Sequence, residues 1–194
     1  MGVMVERLAP RSEAISTIGC DFATWMTSEQ RRIFLLCFRL LQDRDEADAA
    51  TQDAFFKAYQ ALTKGAASSV EDPAKWLTRI AVNTCLDRIR GRAWKFWRRR
   101  REPAAEELVL ATTPDREPSA EDRVFALEIN RRLAAAMEKL SPRQRAVFAL
   151  RHHEHRGVEE IGEILGLDTG TVKAHMSRAL AKLREELRDM YGLI

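Results

Sequence analysis

The sequence has 194 residues, which is long enough for one large domain or two small ones. Hydrophobic residues make up 45% and charged residues 31%, a composition that excludes a disordered chain. The net charge of +3 does not by itself predict a nucleic-acid partner. Basic and acidic residues are nevertheless separated, since residues 91–101 are strongly basic and residues 43–53 are rich in acids. This separation predicts two different partner surfaces.

Several classes of protein are excluded by missing signals. Cys20, Cys37 and Cys85 are scattered, which predicts reduced, buried thiols and neither a disulfide framework nor a zinc site. No apolar run resembles a signal peptide or a membrane span, so we expect a cytoplasmic protein without a membrane partner. No phosphate loop, nucleophile elbow or metalloprotease motif is present. We therefore expect no enzyme, no cofactor and no metal.

Helical periodicity dominates the chain, and strand signals are almost absent, so the predicted fold class is all-α. Residues 1–21 lack periodicity and are predicted to be a flexible tail. Residues 22–97 form a first helical domain, and residues 98–119, with a basic run and three prolines, are predicted to be a flexible linker. Residues 120–194 form a second helical domain.

The first domain contains two helices with distinct faces. In the helix over about residues 45–62, alanines at 47, 50, 54, 58 and 61 form a stripe suited to close helix packing. Another face carries Asp48, Thr51, Gln52 and Phe55. The helix over residues 76–90 follows Pro73 and an Asp72 cap, and its outward positions include Arg79, Asn83 and Arg90.

The second domain has the pattern of a helix-turn-helix. Residues 158–166, VEEIGEILG, predict a short helix that ends at Gly166, where a positive φ is needed. Asp168 can cap a longer helix over about residues 169–187, and Ser141 with Pro142 opens a supporting helix upstream. Since the second helix of such a motif enters the major groove, we assign DNA contacts to its polar and basic side chains: Thr171, Lys173, His175, Ser177, Arg178 and Lys182.

Four strings carry a resemblance to a known family. LSPRQRAVFAL, EEIGEILG and GTVKAHMSRALAKLR in the second domain resemble region four of the sigma-70 superfamily, specifically the extracytoplasmic-function (ECF) sigma factors. These strings are also similar to LuxR-type regulators. The string WLTRIAVNTCLDRIR at residues 76–90 resembles the region-two signature of the sigma factors, and it decides between the two.

This resemblance implies a transcription initiation factor that works with core RNA polymerase and promoter DNA. The second domain would read the minus-thirty-five element. Arg79, Asn83 and Arg90, with the loop at about residues 64–72, would hold a melted minus-ten strand, and Arg88 would track phosphates. Asp48, Thr51, Gln52 and Phe55 would form the polymerase-binding face.

The chain departs from the ECF pattern at one place. Most members have an acidic pair before the glutamine, whereas residues 47–52 read ADAATQ, with Ala49 in place of the second acid. Phosphorylation of Thr51 would restore negative charge there. We therefore expect the subgroup that lacks this motif and is controlled by Ser/Thr kinases. A Ser/Thr kinase is then a partner, and an anti-sigma factor is allowed but not required.

Two other functions stay open at this stage. A helix-turn-helix regulator that is not a polymerase subunit would need only the second domain, and it leaves residues 76–90 unexplained. An adaptor that sequesters a partner through the first domain is the other, and specific DNA binding by the second domain would count against it. His152, His153 and His155 lack the further ligands of a metal site, and we expect a polar helix end there.

Overall fold

The computed structural model describes residues 22–65, 70–91 and 120–188. Within these residues it contains α-helices and no strands, which confirms the all-α prediction. The predicted tail, residues 1–21, and the predicted linker, residues 98–119, lie outside the described residues. The helices are α1 (Phe22–Leu41), α2 (Arg44–Thr63), α3 (Pro73–Arg90), α4 (Ala120–Glu138), α5 (Pro142–His152), α6 (Val158–Leu165) and α7 (Thr169–Glu186).

Helices α1 to α3 pack together as the N-terminal helical domain. The alanine stripe of α2 is buried at residues 47, 50, 54 and 58, and these short side chains allow α1 and α3 to approach closely. Asp43 caps α2 by accepting from the Glu46 amide at 2.8 Å. Asp72 caps α3 by accepting from the Lys75 amide at 3.0 Å, with Pro73 in the first turn.

Helices α4 to α7 form the C-terminal helical domain. Helix α5 begins at the expected capping box, in which Ser141 and Gln144 exchange hydrogen bonds. Helices α4 and α7 share a small core to which Met137, Leu140 and Leu183 contribute. Helices α5 and α6 bury a second set of apolar residues, with Val147, Leu150, Ile161 and Ile164 among them.

The two domains pack directly against each other, an arrangement that the sequence left open. The buried residues of α1 to α3 and those of α5 and α6 form one continuous cluster. The contacts run between α1 and α5, between α3 and α5, and between α3 and α6. Cys37 and Cys85 are buried and free, as expected, and Cys20 is outside the described residues. In the described part of the chain, no helix combines the length and apolarity needed to cross a membrane.

Candidate polymerase and nucleic-acid interfaces

The turn between α6 and α7 has the tight geometry of a helix-turn-helix. Gly166 ends α6 in the left-handed region, with φ 64° and ψ 44°, as predicted. The amide of Leu167 donates to the carbonyl of Gly162 at 2.9 Å, so the chain turns back closely over α6. Asp168 then accepts from the amide of Thr171 at 2.8 Å and from its hydroxyl at 2.6 Å. These contacts fix the direction in which α7 leaves the turn.

The predicted reading face of α7 is open to solvent. Lys173, Ser177, Arg178 and Lys182 are exposed, and Thr171 and His175 are half-buried. Burial lowers the pKa of His175 below its usual value, and the positive charges of Arg178 and Arg143 lower it further. His175 is therefore neutral near pH 7, and its imidazole can donate or accept one hydrogen bond.

The outward face of α3 is exposed at Arg79, Asn83 and Arg90, as expected. Arg88, which was predicted to contact phosphates, instead has carboxylate partners within its own domain. Its guanidinium bridges Glu46 at 2.8 Å and Asp53 at 2.6 Å, and thereby ties α3 to α2. Residues 66–69 of the predicted strand-holding loop lie outside the described residues.

The predicted polymerase-binding face of α2 is only partly exposed. Asp48 and Gln52 are exposed, and the Gln52 amide donates to the Asp48 carboxylate at 2.8 Å. Thr51 and Phe55 are largely buried, with exposures of 4% and 5%, although both line the same groove as Asp48 and Gln52. The reason is that the buried side of α2 is wider than its alanine stripe. The row through Ala47, Thr51 and Phe55, spaced four residues apart, also faces the domain core.

The hydroxyl of Thr51 belongs to a side chain that is only 4% exposed and that lines the groove between α1 and α2. It donates to the carbonyl of Ala47 at 2.7 Å, within its own helix. It also lies against the thiol of Cys37, which is fully buried. The side chain of Thr51 is therefore almost fully buried in the free protein, with the groove as its open neighbour.

An apolar groove runs along this face, and the four predicted residues Asp48, Thr51, Gln52 and Phe55 are all among its lining residues. The groove has a volume of about 370 Å³ and is lined by side chains of α1 and α2, with Asp48 and Gln52 on its rim. Phe56 and Tyr59 are 61% and 49% exposed, and the ring of Phe22 contacts Tyr59 at 5.3 Å between centroids. The sequence signal for this exposed aromatic surface was the spacing of Phe56 and Tyr59, three positions apart on an otherwise polar helix face.

The histidines after α5 take part in packing. The ring of His152 lies tilted against Phe148 with 4.4 Å between centroids, and His153 contacts the same ring edge-on at 6.3 Å. Burial lowers the pKa of His153 to about 4, with a further contribution from the charge of Arg39 on α1. His155 is exposed and adopts a positive φ of 53°.

These features define a DNA-binding protein of the helix-turn-helix class with a second helical domain. Residues 25–95 match the family model described as Sigma-70 region 2, and residues 130–183 match the model described as Sigma-70, region 4. The chain is 31% identical over 173 residues to the ECF RNA polymerase sigma factor SigW of Bacillus subtilis, covering 87% of this chain and 90% of that protein. It is 30% identical over 177 residues to the RNA polymerase sigma-E factor of Streptomyces coelicolor, covering 88% and 89%. The chain therefore belongs to the sigma-70 family, in its ECF group.

Solved structures share the fold. The sigma factor RpoE of Bartonella quintana, in complex with the anti-sigma factor NepR, superposes with a TM-score of 0.62 at 22% identity. That superposition covers 87% of this chain and 97% of RpoE. CnrH, in complex with the cytosolic domain of CnrY, gives a TM-score of 0.62 at 23% identity, covering 92% and 95%.

Proposed function

We propose that this ECF sigma factor binds core RNA polymerase through the groove face of α1 and α2 and directs it to promoters. Helix α7 reads the minus-thirty-five element, and the exposed face of α3 holds the melted minus-ten strand. The capped turn with the exposed basic face of α7 is the observation that carries this proposal most strongly. The match of α1 to α3 to sigma region 2 disfavours a regulator that works without polymerase.

The reading of duplex DNA can be tested with single variants of α7. Lys173 and Arg178 are exposed on the face that would enter the major groove. A side chain that contacts a base edge carries roughly 1–3 kcal/mol of discrimination. A side chain that contacts only phosphate lowers affinity for every sequence and reduces its salt dependence. Binding of Lys173→Ala and Arg178→Ala to matched and mismatched duplexes therefore separates the two roles.

Docking on polymerase can be tested at the groove. Phe56 and Tyr59 offer exposed aromatic surface, and Asp48 offers a carboxylate on the rim. Removal of an aromatic side chain from the centre of an interface often costs more than ~1 kcal/mol of binding free energy. We expect Phe56→Ser and Tyr59→Ser each to weaken polymerase binding by roughly tenfold.

The control for these groove variants is Gln60→Ala, an exposed position of α2 that does not line the groove. It should bind core polymerase as the wild type does. Equal binding by the groove variants and this control would refute the docking face. The variant Ala49→Asp restores the missing acid and is expected to bind more tightly if a basic partner faces this position.

Activation by phosphorylation of Thr51 stays a prediction from the sequence, and the burial of its hydroxyl counts against it. A kinase would have to act on a side chain that is only 4% exposed. Mass spectrometry of the chain isolated from its own cells, compared with Thr51→Ala, tests this hypothesis. An unmodified Thr51 in cells where the factor is active would contradict it.

Control by an anti-sigma factor is a second route to regulation. It is suggested by one structural neighbour, the sigma factor RpoE, which was solved in complex with the anti-sigma factor NepR. The apolar groove and its acidic rim offer one surface for polymerase and for an inhibitor. An inhibitor bound there would compete with polymerase, and the groove variants would weaken both interactions.

A further inference from the structure

Two buried thiols of the N-terminal domain lie side by side. Cys37 is on α1 and Cys85 is on α3, and both side chains are fully buried. A hydrogen bond joins the two side chains, so their sulfur atoms are in contact where α1 packs on α3. Close approach of the two side chains is the first geometric condition for a disulfide.

The two thiols differ in how readily they lose a proton. The hydrogen bond with Cys85 lowers the pKa of Cys37, and the contact with Thr51 and the charge of Arg88 act in the same direction, against the effect of burial. The same hydrogen bond, together with burial, raises the pKa of Cys85 well above its ordinary value of 9.0. Cys37 is therefore the thiol that more readily becomes a nucleophilic thiolate, and Cys85 keeps its proton.

The apolar groove between α1 and α2 brings solvent close to Cys37. Thr51 lies against the thiol of Cys37 and also lines this groove, which has a volume of about 370 Å³. Hydrogen peroxide is small and uncharged, so it fits the groove and can reach Cys37 when the side chain of Thr51 moves. A cysteine of lowered pKa beside a second cysteine is the arrangement found in thiols that react reversibly with oxidants.

We propose that Cys37 and Cys85 form a reversible redox site for a small hydroperoxide, and that their disulfide weakens the docking of polymerase on the groove. The sulfur of Cys37 attacks one peroxide oxygen, the O–O bond breaks, and the departing hydroxide takes the thiol proton to become water. The sulfur of Cys85 then attacks the Cys37 sulfenic acid, the S–O bond breaks, and hydroxide leaves with the Cys85 proton as a second water. The two thiols lose two electrons, which reduce one peroxide to two waters.

The disulfide acts on the groove through Thr51. A covalent S–S bond is shorter than a contact between two thiols, so oxidation draws Cys37 towards α3 and away from Thr51. Because Thr51 and Phe55 both line the groove, loss of this contact changes its surface. The effect on polymerase rests on the proposed function, whereas the oxidation itself rests on the thiol pair.

The first test follows the thiols in the folded, full-length chain. The reduced protein is treated with hydrogen peroxide, its remaining thiols are alkylated under denaturing conditions, and its tryptic peptides are analysed by mass spectrometry without reduction. We expect a cross-link between peptides 33–39 and 80–88 that dithiothreitol reverses. The control Cys20→Ser should give the same cross-link, and Cys85→Ala should give none.

Two results would overturn the redox site. One is that peroxide leaves Cys37 and Cys85 free for alkylation in the folded protein. The other is a cross-link that forms only after unfolding in urea, because the native contact would then play no part in it.

A matched pair of variants tests the path from the groove to the thiol. Thr51→Ala shortens the side chain beside Cys37 and should speed disulfide formation several-fold. Thr51→Val keeps the size of the side chain and should react no faster than the wild type. Equal rates for the two variants and the wild type would refute access through the groove.

Binding to core polymerase keeps the redox site and the proposed function separate. We expect the reduced factor to bind about tenfold more tightly than the oxidised factor, and dithiothreitol to restore the binding. Equal binding by the two forms would overturn the regulatory effect of the disulfide. If the disulfide forms but neither form binds polymerase, the proposed function fails and the redox site stands. If the reduced factor binds polymerase but no disulfide forms, the redox site is wrong and the proposed function stands.

Discussion

Gly162 lies within α6, on the side over which the following turn folds back. Its replacement by alanine tests the geometry of the helix-turn-helix. A Cβ at this position would lie 2.7 Å from the backbone carbonyl oxygen of Leu167. Ordinary Cβ contacts begin near 3.4 Å, so the turn would have to retreat by about 0.7 Å in a close-packed site. That retreat would also strain the hydrogen bond from the Leu167 amide to the Gly162 carbonyl.

Two opposing effects determine how much Gly162→Ala changes the free energy of unfolding. Overpacking of this kind costs about 1–3 kcal/mol. Alanine is favoured over glycine inside a helix by about 1 kcal/mol, which offsets part of that cost. We therefore expect Gly162→Ala to lower the free energy of unfolding by up to about 2 kcal/mol. Because the turn sets the direction of α7, binding to a minus-thirty-five duplex should weaken as well, by roughly tenfold.

Urea unfolding followed by circular dichroism measures the stability, and anisotropy with a labelled duplex measures the binding. Gly157→Ala is the control, since a Cβ there meets no atom closer than 3.5 Å. Its cost should stay below about 1 kcal/mol and its DNA binding should be unchanged. If Gly162→Ala were as stable as the wild type and bound the duplex equally well, the close approach of the turn to α6 would be refuted.

Three further predictions concern caps, charge and pH. Asp168→Ala removes the cap of α7 and should cost about 1 kcal/mol of unfolding free energy, measured in urea, while Asp168→Asn should keep most of it. Thr51→Glu places a charge at a buried site and should lower the melting temperature, whereas Thr51→Val should change it little. A Thr51→Glu protein with the melting temperature of the wild type would show that this site opens readily. The pKa of His153 is lowered from its ordinary value of 6.5 to about 4, chiefly by burial and then by Arg39. In this pH range the imidazole of His153 is protonated in the unfolded chain but stays neutral in the folded chain, so stability should be lost as the pH falls from 6.5 towards 4. The variant His153→Gln should reduce this loss in pH-dependent thermal melts.

Local features of the fold could be predicted because their causes are local. Ser141 and Asp168 cap helices through atoms three residues away, and Gly166 ends α6 through its own backbone. Such signals lie within a few residues in the sequence. The exposed positions of α7 could be predicted as well, because the 3.6-residue period of the helix places them on one face.

Positions that depend on distant partners could not be predicted. Thr51 and Phe55 are buried because of where α1 packs on α2, and helical periodicity does not set the width of that contact. Arg88 was expected to contact phosphates, yet its partners Glu46 and Asp53 lie on a different helix. The contact of Arg145 with Leu40 joins residues from different domains, and neither local sequence carries a signal for it.

The central claim is that this chain confers promoter specificity on RNA polymerase. The most direct measurement is run-off transcription on genomic DNA of the source organism, with core polymerase alone and with the purified chain added, followed by mapping of transcript starts. We expect starts that depend on the chain and share sequence elements near minus ten and minus thirty-five. They should be lost in the double variant Lys173→Ala/Arg178→Ala. If a folded chain gave the same set of starts as core polymerase alone, it would not act as a promoter-specificity factor.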